Sequence, residues 1–84
     1  RGGRPDLAVR AMKSAVARDP ENWQYAYGLA IAQALAGTDP RPEIARARRL
    51  NPLEPLARDL GRNLRGRDRA RWRRSAGQAR IPSQ

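Results

Sequence analysis

The feature that most constrains the fold of this chain is Trp23–Ala36, a helix-length segment with almost no polar side. Its sequence, WQYAYGLAIAQALA, is interrupted by Gln24 and Gln33. At about 100° per residue its apolar side chains surround the helix axis, and a helix that is apolar on all sides is buried on more than one flank. A chain of 84 residues has room for a single small core. We therefore expect this helix to lie at the centre of the fold.

Composition limits the kinds of site that the chain can carry. It contains no Cys and no His, which excludes disulfides, imidazole metal ligands and Ser–His or Cys–His catalysis. The acidic residues are scattered, and several stand at predicted helix starts, where capping and the helix dipole explain them. We identify no catalytic, metal or cofactor site in the sequence, and we predict that the chain is not an enzyme.

Turn signals divide the chain into helices, and the predicted fold class is all-α. Runs of β-branched residues typical of strands are absent, whereas Ala is abundant. Asp19 or Asn22 is the expected cap of the central helix, and Gly37 its expected left-handed stop. The predicted helices are Asp6–Arg18, Trp23–Ala36, Glu43–Leu50 and a fourth that starts near Glu54-Pro55 and ends at about Leu64.

Two of these helices carry informative apolar patterns. In the first helix, apolar side chains cover an arc of about 200°, which is too wide for a helix that contacts a single neighbour. The residues of this arc are Leu7, Ala8, Val9, Ala11, Met12, Ala15 and Val16. In the fourth, a narrower stripe is formed by Leu53, Leu56, Ala57, Leu60 and Leu64. If the fourth helix continued, Arg67, Arg71 and Arg74 would fall on its stripe, so we expect it to leave the core after Leu64.

The C-terminal half of the chain is strongly basic. Of the 18 Lys and Arg residues 17 are Arg, and the net charge is +2 in residues 1–42 and +8 in residues 43–84. Such asymmetry is typical of a segment that binds an anionic partner. We therefore predict a helical domain in residues 1–64 and a basic, partly disordered extension in residues 65–84, with an exposed segment Arg65–Arg74 and a disordered end from Gly77.

Seven residues of this extension are predicted to bind an anionic surface: Arg65, Arg67, Arg69, Arg71, Trp72, Arg73 and Arg74. Arginine clusters attract anionic lipid, and a Trp among them suits a membrane interface. The same residues would also bind nucleic acid, with Trp72 stacked on a base. No known nucleic-acid-binding motif is present, which favours lipid or an acidic protein partner. The remaining alternative is a solvated tail whose Arg content reflects a GC-rich genome.

Residues from Pro5 to about Leu64 resemble the tetratricopeptide repeat, a helix-turn-helix unit of about 34 residues that stacks into solenoids. The resemblance is carried by Ala8, Met12, Ala15, Pro20, the pair Leu29-Ala30, Gly37 and the pair Asn51-Pro52. Ala26 and Gln33 depart from it, because the family prefers bulky aromatic residues there. The resemblance implies antiparallel helical hairpins, about one and a half repeats plus a capping helix, and a role in protein–protein interaction.

In that family the concave face of the stack binds peptides, and the matching positions here are Gln24, Tyr27, Ile31 and Leu35. These side chains would hold a protein or peptide partner by apolar contact and a few hydrogen bonds. The Lys, Asn and Arg residues with which the family clamps a peptide carboxylate are missing. The alternative is that all four side chains pack against a neighbouring helix.

Since at least three repeats are normally needed for stability, we expect this chain to be the C-terminal part of a larger protein. The segment from Asp19 to Ala57 also resembles the soluble C-terminal tail of actinobacterial membrane proteins of the O-antigen ligase-like class. That resemblance implies a bacterial, membrane-anchored parent protein whose glycan chemistry lies outside this chain. It also implies a cytoplasmic location at the inner face of the membrane.

Overall fold

The computed structural model describes residues 4–80, which form five helices. The helices are α1 (Pro5–Arg18), α2 (Trp23–Ala36), α3 (Arg41–Leu50), α4 (Pro55–Asn63) and α5 (Arg69–Gln78). Residues 4–80 contain no strand, which confirms the predicted all-α class. Within the same residues, no helix is both long and apolar enough to cross a membrane.

Helix α2 lies at the centre of the fold, as its apolar sequence predicts. It packs against α1, α3 and α5, and seven of its residues are buried. Its first turn is capped by Asn22, whose side chain accepts a hydrogen bond from the amide of Gln24 at 2.9 Å. It ends at Gly37, whose φ of 83° is the left-handed conformation that glycine adopts without strain. Both predicted boundaries of this helix are confirmed.

Helix α5 contradicts the prediction that the chain leaves the core after Leu64. Trp72 is 4% exposed and belongs, with Ala76, to the same core as α2 and α4. The Trp72 indole Nε1 donates a hydrogen bond to the buried carbonyl oxygen of Leu64 at 3.1 Å. The arginine-rich segment is therefore folded, and the domain boundary predicted after Leu64 does not separate it from the core.

The error has a physical cause in the loop between α4 and α5. The prediction extended the helical register of α4 beyond Leu64, but α4 ends at Asn63 and Gly66 turns the chain with a φ of 79°. Asp68 then caps a new helix by accepting hydrogen bonds from the amides of Ala70 and Arg71. In this new register Trp72 and Ala76 face the core. Of the end that was predicted to be disordered, Gly77 and Gln78 belong to α5, and residues 81–84 lie outside the described residues.

Two smaller expectations are also wrong. Helix α3 begins at Arg41 rather than Glu43, because Pro42 fits in its first turn. Backbone amides there donate no hydrogen bond within the helix, so proline, which lacks an amide hydrogen, is tolerated. Leu53 is not part of the apolar stripe of α4 and is 86% exposed. It lies in the turn before α4, whose cap is Glu54, and the buried residues that follow are Ala57, Leu60 and Gly61.

Helix α1 is the least covered helix in the described part of the chain. It packs mainly on α2, and Ala15 is its one buried residue. Leu7 is 48% exposed, and Ala8 and Ala11 are also exposed. The second neighbour that its wide apolar arc predicts is absent from residues 4–80.

Candidate binding surfaces

The first candidate surface is an open groove between α1 and α2, with a volume of about 420 Å³. Its lining is mainly apolar and includes all four residues predicted for the concave face, Gln24, Tyr27, Ile31 and Leu35. The other lining residues are Ala8, Met12, Asn22, Tyr25, Gly28 and Ala32. The sequence pattern therefore identified residues that share one groove.

These four side chains differ in how much of them a partner would reach. Gln24 and Leu35 are half-buried, whereas Tyr27 and Ile31 are buried. The hydroxyl of Tyr27 is turned toward the C-terminal end of the described chain, where it donates a hydrogen bond to the carbonyl oxygen of Arg80 at 2.7 Å. Burial, followed by the nearby carboxylates of Glu54 and Asp59, raises the pKa of this phenol above its ordinary value. Tyr27 thus has a mainly structural role at the base of the groove.

Gly28, which the sequence analysis did not single out, allows α1 and α2 to approach. A Cβ atom at this position would lie 2.8 Å from the methyl carbon of Met12, inside van der Waals contact. Met12 therefore occupies the space that a side chain at position 28 would take. A glycine in the middle of an otherwise apolar helix was the available sequence signal, because it often marks a close approach.

The second candidate surface is formed by the arginines of α5 and of the loop before it. Arg65, Arg67, Arg69, Arg71, Arg73 and Arg74 are all exposed, as predicted. Two of them are tied to the backbone of α4, since Arg65 Nε donates to the carbonyl of Arg62 and Arg71 Nε to that of Asn63. Trp72 is buried beneath them at 4% exposure, so the exposed position predicted for it is wrong.

Part of this surface forms a pocket of about 530 Å³ between the α2–α3 turn and the start of α5. We call it the arginine pocket; it is lined by Gly37, Thr38, Asp39, Arg41, Arg67, Arg69 and Trp72. Arg41 donates to Asp39 through Nε at 2.9 Å and Nη2 at 2.8 Å. The guanidinium carbon of Arg41 also lies 5.8 Å from the centre of the Trp72 ring. Arg41 was not among the predicted site residues, because only the fold brings it to α5.

The ionisation of Asp39 reflects this arrangement. The side-chain hydrogen bonds from Arg41 lower the pKa of the Asp39 carboxyl to about 2, and the charges of Arg41 and Arg67 act in the same direction. Asp39 is therefore ionised at neutral pH and is already paired with Arg41. The pair contributes little net charge to the pocket, whose remaining cations are arginines.

In residues 4–80 no three carboxylates come together as a possible metal site. Comparison with known proteins adds no assignment: no protein-family model, no curated protein and no solved structure matches this chain. The groove and the arginine pocket are therefore characterised by their own geometry.

Proposed function

We propose that this chain is a non-catalytic interaction module, similar to a tetratricopeptide repeat, that binds a protein segment in the groove between α1 and α2. The observation that carries the proposal is the apolar groove beside a helix with an uncovered apolar side. Leu7 and Ala8 on α1 are exposed, and Leu35 on α2, which packs partly against the core, also lines the groove.

The groove suits an apolar or amphipathic segment better than a charged one. Its polar groups are few, with Asn22 and Gln24 at one end, and the side chains of Ile31, Ala32 and Leu35 continue it along α2. An amphipathic helix binds such grooves by placing residues one helical turn apart into the apolar lining. The missing second neighbour of α1 would be supplied by this partner segment.

The exposed arginines support a second element of the proposed function, attachment to an anionic membrane surface or an acidic partner. Juxtamembrane basic residues gain roughly 1 kcal/mol each near anionic lipid. This would place the chain in the cytoplasm at the inner face of the membrane, as part of a larger bacterial membrane protein. The parent reading frame tests this placement, since upstream membrane-spanning helices support it and a start codon directly before Arg1 contradicts it.

The same arginines keep a basic nucleic-acid-binding module as the second candidate function. Arg67, Arg69, Arg73 and Arg74 are exposed, and their side chains make no hydrogen bond or ion pair with any other residue between 4 and 80. A salt titration against RNA and against anionic vesicles separates the candidates. Tight RNA binding with a steep salt dependence, together with no vesicle binding, would favour nucleic acid.

The groove is tested with peptides selected against the chain from a random display library. Ala8 is exposed and lines the groove, whereas Ala11 is exposed on the same helix and does not line it. We expect Ala8→Asp to weaken the selected peptides by about tenfold or more, because it places a charge against apolar surface. Ala11→Asp, the matched control, should leave affinity unchanged. Equal affinity of both variants for every selected peptide would contradict a partner site in the groove.

A further inference from the structure

The arginine pocket gathers cations from parts of the chain that are far apart in sequence. Arg41 opens α3, Arg67 lies in the loop before α5, and Arg69 opens α5. A fourth arginine, Arg73, approaches the rim, because its Nη2 atom lies 3.7 Å from the position of a Cβ on Gly37. The fold thus concentrates at one open pocket charges that the sequence distributes over more than thirty positions.

One of these arginines is held in place by the protein itself. Arg41 is fixed by two hydrogen bonds to the Asp39 carboxylate and lies against the Trp72 ring. The Asp39 carboxylate also accepts a hydrogen bond from the backbone amide of Arg41 at 3.0 Å. Its oxygens are therefore engaged by Arg41, and they form the one acidic group in the lining of the pocket.

The other arginines have donors to spare. The side chains of Arg67, Arg69 and Arg73 make no hydrogen bond or ion pair with another residue in the described range 4–80, and all three residues are exposed. Arg67 and Arg69 line the pocket itself. After the Asp39–Arg41 pair is set aside, the pocket and its rim keep three guanidinium groups that form no ion pair within residues 4–80.

We propose that the arginine pocket binds a phosphate group, with Arg67 and Arg69 as its principal ligands and Arg73 at the rim. This inference rests on the proposed electrostatic attachment and names its chemistry. A guanidinium offers a planar fork of donors that matches phosphate oxygens, and several forks converging from different elements suit a phosphate dianion better than a single carboxylate. The pocket is open, so the phosphate enters it while the group that carries the phosphate stays outside. That group is either a small soluble molecule or a lipid in a membrane.

The test compares two charge-reversal variants of the full chain that change the net charge equally. Arg67→Glu/Arg69→Glu alters the pocket, and Arg10→Glu/Lys13→Glu alters exposed residues of α1, which contributes nothing to the pocket lining. The probes are inorganic phosphate, followed by NMR chemical shifts, and phosphatidylcholine vesicles that contain phosphatidic acid or phosphatidylserine. Circular dichroism verifies that both variants remain helical.

We expect the chain to bind a phosphate probe and the pocket variant to bind it at least tenfold more weakly, while the α1 variant stays within about twofold. If the chain binds inorganic phosphate but not phosphatidic acid vesicles, the phosphate belongs to a small soluble molecule. If it binds phosphatidic acid vesicles more tightly than inorganic phosphate, the phosphate belongs to a lipid. An equal loss of affinity in both variants would show a general attraction between charges and would contradict a phosphate site in the pocket. Binding to phosphatidylserine vesicles would then still support the proposed attachment to anionic lipid. If the chain binds none of these probes, the inference is overturned, and so is the proposed attachment to anionic lipid.

Discussion

At the residue scale, Trp72 shows how one side chain can serve the core and shape a surface together. Its indole is buried against α2 and α4, its Nε1 bonds the carbonyl of Leu64, and its ring lies beneath the guanidinium of Arg41. The arginines on either side of Trp72 in sequence remain exposed. In the sequence, a Trp among arginines resembles a membrane-interface residue. In the structure, the Trp and the arginines are the buried and exposed sides of one amphipathic helix.

Tyr27→Phe tests the buried hydroxyl at the base of the groove. The change removes the hydrogen bond to the carbonyl of Arg80, so we expect the free energy of unfolding at neutral pH to fall by about 1 kcal/mol. Tyr25→Phe is the matched control, because the Tyr25 hydroxyl makes no hydrogen bond within residues 4–80. Urea unfolding of the three proteins measures the difference.

The pH dependence of the same variant follows from the raised pKa of Tyr27. A group whose pKa is raised on folding stabilises the protein below its unfolded pKa, here near 10, and loses that contribution as the pH rises through its folded pKa. The advantage of the native chain over Tyr27→Phe should therefore be constant at neutral pH and shrink above pH 10. A difference that stays constant or grows above pH 10 would show that folding does not raise the pKa of this phenol.

At the scale of elements, the sequence predicts a helix well when one register holds along it. The apolar residues of α2, its Asn22 cap and its Gly37 stop all agree, and both ends lie where they were predicted. The helical register predicted beyond Leu64 fails for α5, because the chain turns at Gly66 and a new helix begins after it. Residues on the two sides of this turn do not share a helix face. The four groove residues could be predicted from the sequence pattern because they lie on one helix. Arg41 could not be predicted in this way, since its contact with Trp72 depends on tertiary packing.

Removal of α5 tests whether it is a structural element. A chain ending at Leu64 loses the burial of Trp72 and Ala76 and uncovers Leu60 and Leu64. Deletion of one buried Trp side chain costs about 3–5 kcal/mol, a large share of the 5–15 kcal/mol that stabilises a typical domain. We expect the truncated chain to lose its cooperative thermal transition by circular dichroism. A control ending at Arg80 keeps every contact described here, and an unchanged melting temperature after truncation at Leu64 would contradict the role of α5.

At the scale of the whole molecule, burial and charge are placed on different sides of the same helices. The core lies between α2 and α3, α4 and α5, while the cations of α5 and its preceding loop remain in solvent. Six exposed arginines therefore lie on a folded surface, which focuses the field at the arginine pocket more than a flexible tail would. The uncovered side of α1 lies away from this core and leaves a separate apolar surface for a protein partner.

The measurement that tests this account most directly is amide hydrogen exchange across the full chain, since both the core and the arginine pocket require α5 to be folded. We predict that the amides of Trp72–Ala76 are protected to nearly the same extent as those of α2, because the two helices share one core. Exchange of these amides at the rate of an unstructured peptide, while α2 stays protected, would contradict the account and restore a free basic tail.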